Sequence, residues 1–152
     1  GLRRRGLGRP RRGGALMGLY VNGESLDGGG GGSAGPVLVP LAAAESTVLT
    51  SDTALAQVRF DPADYSTPPS TITLEAVGSV VSGVTGTLTL YNLSDAASAA
   101  SLAWTETSAT RKTASVTVPG SAKTYELRWR KSGGGPADYA LLGSAQLRLG
   151  WS

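Results

Sequence analysis

The sequence contains neither cysteine nor histidine. Without cysteine, the chain forms no disulfide, no thiolate nucleophile and no cysteine-ligated zinc site. Without histidine, it lacks the usual general base near neutral pH and the commonest metal ligand, which excludes Ser-His-Asp and Cys-His catalysis. We therefore expect a protein that is not an enzyme of conventional type and that needs no metal or cofactor.

Long apolar runs are also missing. No segment approaches the roughly 18 apolar residues of a membrane span, so we expect no membrane partner. The basic N-terminus is not followed by an apolar segment, and we expect it not to be a signal peptide. The length of 152 residues leaves room for one domain.

Charge is distributed unevenly along the chain. Residues 1–12 contain six arginines and no acidic residue, whereas residues 13–152 contain eight basic and eleven acidic residues. Glycines throughout residues 1–36, including the run Gly28–Gly32, oppose helix formation and are typical of a flexible segment. We therefore divide the chain into an extended arm and linker, residues 1–36, and a folded domain, residues 37–152.

The arm offers two kinds of contact residue. Its basic residues are Arg3, Arg4, Arg5, Arg9, Arg11 and Arg12, and its apolar anchor residues are Leu16, Leu19, Tyr20 and Val21. The arginines suit nucleic acid phosphates, an acidic protein surface or a solvated tail. No aromatic residue lies among them to stack on bases, so we favour a protein surface and keep nucleic acid as an alternative. The segment 19–21 could form a short strand or contact a neighbouring molecule.

The remainder of the chain has the pattern of an all-β protein. Short runs of alternating apolar and polar residues are separated by turn residues such as Asp61-Pro62 and Pro119-Gly120. The alternation is clearest over Lys123–Lys131, where Tyr125, Leu127 and Trp129 share one side of the strand. The pattern predicts an antiparallel β-sandwich of the jelly-roll or a related Greek-key type.

Other strand predictions are less regular. We expect separate strands at Val37–Leu41 and Ser46–Thr50, and one strand, or two divided near Gly143, over Tyr139–Trp151. The Ala/Ser-rich segment Asp95–Ala103 is ambiguous between strand and helix. The glycines at Gly133–Pro136, which lack the lysine of a phosphate loop, indicate a hairpin loop.

Aromatic residues raise the possibility of a carbohydrate-binding surface. An exposed row of aromatic rings can stack on sugars, but Trp129 and Trp151 lie on the apolar sides of their predicted strands and suit packing better. Tyr91 lies opposite Leu88 and Leu90, and is the best candidate for an exposed aromatic.

Two groups of acidic residues could bind a metal ion or act in catalysis. Asp61 and Asp64 could contribute to a calcium site, but a turn beside proline accounts for them better because no further ligands follow. Among Glu75, Glu106 and Glu126, a pair could in principle hydrolyse glycosides. Cross-strand ion pairs with Arg128, Arg130 or Lys131 are the simpler interpretation.

Two segments carry a family resemblance. The stretch Ser82–Leu93, SGVTGTLTLYNL, and the stretch Lys123–Arg128, KTYELR, resemble paired strands of β-sandwich proteins from bacteriophage and phage-like virions. The resemblance covers roughly Val58 to Trp151, and it transfers no site residue. It implies a capsid-decoration, fibre or tail-associated role, often as a trimer.

These considerations lead to one main hypothesis and two alternatives. The main hypothesis is a non-enzymatic structural virion protein, assembled in the host cytoplasm, that decorates or cements a capsid or tail. Its partners would be the major capsid or tail protein and other copies of itself, with the arm as anchor. The alternatives are a carbohydrate-binding module of a host-recognition fibre and nucleic-acid contact through the arginines.

Overall fold

A computed structural model describes residues 19–21, 24–26 and 35–152. These residues form ten β-strands and one short 3-10 helix, Pro62–Asp64. The strands are β1 (Leu19–Val21), β2 (Glu24–Leu26), β3 (Val37–Thr47), β4 (Thr53–Phe60), β5 (Thr71–Val80), β6 (Val84–Asn92), β7 (Ala97–Trp104), β8 (Thr110–Val116), β9 (Lys123–Gly133) and β10 (Ala140–Gly150). Within this described part, no helix is long and apolar enough to cross a membrane.

The strands form two antiparallel sheets, which confirms the predicted β-sandwich. The first sheet has six strands in the order β2-β1-β4-β9-β6-β7, and the second has four in the order β3-β10-β5-β8. Both are antiparallel throughout the described pairs. Strands β9 and β10 are interior strands, each hydrogen-bonded on both sides.

The alternation of apolar and polar residues decides which side chains enter the space between the sheets. On β9, Tyr125, Leu127 and Trp129 are 4%, 1% and 0% exposed, whereas Glu126 and Arg128 face outward. Successive side chains on a strand point to opposite faces, so each sheet contributes one apolar face to the core. The two motif strands of the family resemblance, β6 and β9, are neighbours, with Leu90 paired to Leu127.

Two tryptophans fill the centre of the core. Trp104 and Trp129 are both fully buried and meet edge to face, with 5.8 Å between ring centroids. Glycines make room for them. A Cβ on Gly78 would lie 2.9 Å from the ring of Trp104, and one on Gly86 would lie 2.7 Å from Trp129. Only glycine lets the strands approach the rings so closely.

Two local expectations are corrected, and one ambiguous segment is resolved. Val37–Leu41 and Ser46–Thr50 are not separate strands, because β3 is continuous from Val37 to Thr47. It accommodates a positive φ of 32° at Ala44 and a register shift against β10. Residues 95–103 contain no helix; most of them belong to β7. The segment 133–136 is not a hairpin loop, because it connects β9 to β10 in the other sheet.

The strand at the end of the chain is not divided near Gly143. Strand β10 continues from Ala140 to Gly150, and it absorbs an irregularity between Leu142 and Ser144 as a shift in register against β5. The expected single strand is therefore present, with a bulge where a break was considered.

Part of the segment assigned to the arm pairs with the sandwich. Strands β1 and β2 are antiparallel, and β1 continues the six-stranded sheet through the pairs Tyr20 with Arg59 and Val21 with Val58. The predicted short strand at Leu19–Val21 is thus present, and it lies between β2 and β4 in the chain's own six-stranded sheet. Arg3, Arg4, Arg5, Arg9, Arg11, Arg12 and Leu16 lie outside the described residues.

Candidate functional site

Among the side chains that the structure describes, the three tryptophans and Tyr65 do not form a stacking surface for sugars. Trp104 and Trp129 are enclosed in the core, and Trp151 is half-buried with its ring N–H donated to the carbonyl of Thr67 at 2.7 Å. Tyr65 packs between Phe60 and Trp151, with ring centroids 5.6 and 6.0 Å away. These rings hold the sheets together.

Tyr91 lies on the outer face of the six-stranded sheet, as expected, but it is half-buried. The guanidinium of Arg128 covers one face of its ring, with Cζ 3.9 Å from the centroid. Glu126, the cross-strand partner of Tyr91, accepts a hydrogen bond from Arg128 at 2.7 Å and one from Gln57 at 3.2 Å. The ring face beneath Arg128 is therefore occupied by the protein itself.

The acidic residues singled out in the sequence have local partners. Arg59 bridges Asp61 and Asp64 at 3.0 and 3.4 Å, and Asp61 caps the 3-10 helix by accepting the N–H of Ala63. Among the described residues, no group of three or more acidic side chains is close enough to hold a metal ion.

The three glutamates considered for glycoside hydrolysis are not brought together. Glu75 lies on the four-stranded sheet and Glu126 on the six-stranded sheet, each facing outward. Glu106 lies in the connection after β7, where it pairs with Lys112 at 3.1 Å. The expected cross-strand ion pairs with Arg128 and Arg130 are not formed: Glu126 pairs with Arg128 of the same strand, and Arg130 pairs with Asp52 at 3.5 Å.

A groove of about 280 Å³ lies where the edge strands of the two sheets separate, between β7 and the segment that follows β8. Its lining residues come from four segments of the chain and are Asn92, Asp95, Ala97, Ser98, Ala99, Thr117, Pro119, Lys123 and Tyr125. Small ligands bind preferentially in concave sites of this kind.

The β6–β7 turn supplies the centre of the groove. The Asn92 side-chain oxygen accepts the N–H of Asp95 at 3.0 Å, which is the local bond by which asparagine commonly stabilises a turn. Ala96 completes the turn with a positive φ of 53°. These features hold the Asp95 carboxylate at the mouth of the groove, where it is 49% exposed.

Lys123 enters the groove from the first residue of β9. Its ammonium donates to Asp95 Oδ1 at 2.7 Å, and the Asn92 amide donates to Asp95 Oδ2 at 2.9 Å. The carbonyl of Thr124 accepts the N–H of Leu93 at 2.8 Å, which fixes β9 against the turn. The three polar side chains are therefore held in place before any ligand arrives.

Tyr125 forms the apolar wall of the groove. Burial raises the pKa of its phenol, and the negative charge of Asp95 raises it further. The phenol therefore stays protonated and uncharged across the physiological range. Ser98 and Thr117 also line the groove.

The groove combines the groups that recognise neighbouring hydroxyls. A carboxylate offers about four acceptor positions, and the described contacts use two of those on Asp95. The lysine ammonium has three donors, of which Asp95 takes one. A ligand hydroxyl both donates and accepts, so it can bond the carboxylate and the ammonium together.

Sequence reasoning missed this groove. The sequence predicts Asp95 only as the first residue of an ambiguous segment and Lys123 only as the start of a strand. The Asn-x-x-Asp spacing is a turn signal that could have drawn attention to Asp95. Nothing in the sequence connects Asp95 with Lys123, since the pairing of β6 with β9 brings them together.

No family model matches the chain, and no curated protein matches it. Among solved structures, the chain is similar to TmCBM61 in complex with beta-1,4-galactotriose, with 9% identity, a TM-score of 0.41, and coverage of 74% of this chain and 86% of the other. It is also similar to the carbohydrate-binding module CBM36 in complex with calcium and xylotriose, with 12% identity, a TM-score of 0.42, and coverage of 76% and 98%.

A third similar structure is the xylan-binding module CBM15, with 12% identity, a TM-score of 0.45, and coverage of 78% of this chain and 99% of the other. All three are carbohydrate-binding modules, and they lend nothing to the virion expectation, which stays a prediction. At these identities and TM-scores the likeness says nothing about the function of this chain.

Proposed function

We propose that the domain is a non-catalytic module that binds a hydroxyl-rich ligand of the carbohydrate class in the groove beside Asp95. The observation that carries this proposal is the meeting of a carboxylate, an ammonium and a carboxamide beside a tyrosine wall, with Asp95 bonded to Lys123 at 2.7 Å and to Asn92 at 2.9 Å. Carbohydrate binding was one of the alternatives from the sequence. There it was expected on an exposed aromatic surface, whereas here it is proposed for a polar groove.

Pre-organisation favours binding at this groove. The groups that contact the ligand are already fixed by the turn and by β9, so less conformational entropy is lost on binding. The ligand would place one hydroxyl pair on Asp95 and Lys123, above the Tyr125 side chain, which is buried at the base of the groove.

The proposal is tested by screening the purified chain on a glycan array and measuring the best hit by calorimetry. Asp95→Asn keeps the shape of the side chain but removes a charged acceptor, and it should weaken binding about tenfold or more. Lys123→Met keeps the apolar stem of the lysine and should have a similar effect. The thermal midpoint of each variant separates loss of binding from loss of the fold.

Asp52→Asn is the matched control. Asp52 lies in the β3–β4 connection, outside the groove lining, and pairs with Arg130. Its side chain is 42% exposed, compared with 49% for Asp95. This variant should bind as the unmodified chain does. Absence of any glycan hit, or equal affinities for Asp95→Asn and Asp52→Asn, would overturn the proposal.

A structural virion role is a second proposal, and one observation favours it. Exposed apolar side chains cluster where β3 ends and β10 begins. Thr47 is paired with Ala140, so Val48 and Tyr139 extend the two strands side by side, each 45% exposed. Leu49 and Leu141 lie next to them and are 52% and 37% exposed. Clustered apolar residues on a surface are typical of a protein-protein contact.

The expected partners are a capsid or tail protein and further copies of the chain. Light scattering coupled to size-exclusion chromatography tests the second of these. The unmodified chain should elute as an oligomer, and Leu49→Ser combined with Tyr139→Ser should elute as a monomer. A monomeric unmodified chain at high concentration contradicts self-association through this cluster.

A further inference from the structure

The outer face of the four-stranded sheet has an unusual centre. Glu75 occupies an outward-facing position on β5, an interior strand, yet its side chain is only 6% exposed. Three side chains from the flanking strands cover it, namely Arg111 on β8 and Gln146 and Arg148 on β10. A charged residue this deeply covered on a sheet surface requires strong partners.

The contacts to Glu75 place two arginines side by side. Arg111 Nη2 and Arg148 Nε both donate to the same oxygen, Glu75 Oε2, at 2.8 and 2.9 Å. Gln146 donates to the other oxygen, Oε1, at 2.9 Å. One carboxylate oxygen thus anchors both guanidinium groups, which holds two positive charges close together.

The charges in this cluster do not balance. Two arginines share one glutamate, and across residues 35–152 Glu75 is the only carboxylate within 4.0 Å of either guanidinium. The arginines are 57% and 41% exposed, so their remaining N–H donors face solvent. Each guanidinium has five N–H donors, and the described contacts of each use one. The cluster therefore presents a net positive charge and a surplus of donors.

Hydroxyl groups flank the two arginines on the same face. Thr113 is the cross-strand partner of Glu75, and Thr73 is the cross-strand partner of Arg148. Side chains at paired positions project from the same face of a sheet. An anion lying above Glu75 would thus meet charged donors on two sides and neutral donors next to them.

We propose that Arg111 and Arg148 form a binding site for an oxyanion, a carboxylate or sulfate group, on the outer face of the four-stranded sheet. The planar guanidinium forks match the paired oxygens of such groups. An anion between them reduces the repulsion of the two cations, and Glu75 fixes both arginines in advance, which lowers the entropy lost on binding. The site is independent of the groove beside Asp95.

Two sources supply this chemistry, and the experiment separates them. Inorganic sulfate and an oligomer of galacturonic acid are each titrated into the full chain at low ionic strength, with binding followed by NMR amide shifts on β5, β8 and β10. Saturable binding of either probe, centred on Arg111 and Arg148, is the expected result. Binding of sulfate alone assigns the site to a free ion, and binding of the uronate assigns it to an acidic polysaccharide.

Arg111→Gln and Arg148→Gln should each weaken binding about tenfold, because a charged hydrogen-bond donor is lost. Arg130→Gln, an exposed arginine on the other sheet, is the control and should leave binding unchanged. Arg111→Lys keeps the charge but not the fork, so it should restore binding only in part. Absence of saturable binding to both probes, or equal binding by the Arg111→Gln variant, would overturn the proposal.

The test of the oxyanion site does not depend on whether the groove beside Asp95 binds a carbohydrate. Asp95→Asn, which tests the proposed function, should bind sulfate or the uronate as the unmodified chain does. Loss of oxyanion binding in that variant would place the anion at the groove, and would contradict the site proposed on the four-stranded sheet.

Discussion

The guanidinium of Arg128 lies over the ring of Tyr91, with Cζ 3.9 Å from the ring centroid. The two residues are diagonal neighbours on adjacent strands, since Tyr91 is paired with Glu126 and Arg128 with Thr89. The hydrogen bond from Arg128 to Glu126 at 2.7 Å holds the guanidinium in this position. A cation held over an aromatic ring gains electrostatic stabilisation from the negative face of the ring.

The pairing of Arg128 with Tyr91 should be measurable by a double-mutant cycle. Arg128→Met and Tyr91→Leu are made singly and together, and stability is followed by urea unfolding. The coupling free energy should be about 0.5–1 kcal/mol, as for partly exposed cation-π pairs. Arg130→Met combined with Tyr91→Leu is the control and should show additive effects. Additivity in the Arg128 cycle would contradict the interaction.

Gly86→Ala should destabilise the core. The new Cβ would lie 2.7 Å from Trp129 and 3.0 Å from the Cβ of Ala140, so the packed interior must shift. Forcing a methyl group into a filled core costs about 1–3 kcal/mol. The matched control is Gly120→Ala, where nothing lies within 4 Å of the added Cβ. Thermal unfolding should show a lower midpoint for Gly86→Ala than for Gly120→Ala.

Stability should fall in acid, partly because of Glu75. Burial raises the pKa of Glu75, but the hydrogen bonds from Gln146, Arg148 and Arg111 and the charge of Arg111 outweigh burial and hold the pKa below its ordinary value of 4.5. A carboxylate with a lowered folded-state pKa contributes stability above 4.5 that is lost as pH falls through the folded-state value.

The variant Glu75→Gln isolates that contribution. It should cost about 1–3 kcal/mol near neutral pH, because charged hydrogen bonds are replaced by neutral ones. Between neutral pH and strong acid it should lose less stability than the unmodified chain, as measured by urea unfolding at a series of pH values. Identical pH profiles would show that Glu75 is not ionised in the folded state or does not interact with the arginines.

Removal of β1 and β2 should cost more stability than removal of the residues before them. A chain beginning at Leu19 keeps the pairing of β1 with β4, whereas one beginning at Asp27 loses it and leaves β4 as the sheet edge. Lost strand hydrogen bonds contribute about 0.5–1.5 kcal/mol each. The difference between the two truncations is read from their unfolding midpoints, and equal midpoints would mean that β1 adds nothing to the sandwich.

The shorter truncation also tests the alternative of nucleic-acid binding. Removing residues 1–18 deletes the arginines at positions 3–12 and keeps every strand of the described fold. If the arginines contact phosphates, the full chain should bind DNA with an affinity that falls steeply with salt, and the truncated chain should not. Fluorescence anisotropy measures both. Equal binding by the two chains would contradict a role for the arginines.

The sequence predicted the fold where alternation is strong. The spacing of Tyr125, Leu127 and Trp129 correctly assigned one face of β9 to the core, because a strand with one buried face must alternate. It left the structure undecided where local preference conflicts with pairing. The alanines near residues 96–103 favour a helix, but hydrogen bonding to β6 makes them a strand.

The candidate sites could not be predicted to the same degree. Lys123 and Asp95 are 28 residues apart, and they meet only because β9 pairs with β6. Arg111, Arg148 and Glu75 come from three strands, and only the strand order of the four-stranded sheet makes them neighbours. Which strands pair, and in which register, is decided by the folded sheet. The alternation of apolar and polar residues within one strand does not determine its partner strand.

The position of β9 and β10 has a consequence for biosynthesis. Both are interior strands, and they are the last two of the described strands in chain order. During translation β4 therefore stays unpaired on one side until β9 is made, and β3 until β10 is made. Before residue 123 emerges from the ribosome, the pairings β6 with β7 and β5 with β8 can form, but the edges that later flank β9 and β10 stay open. The nascent chain therefore carries unpaired strand edges until the end of β10 is made, which is the interval in which it is most exposed to aggregation.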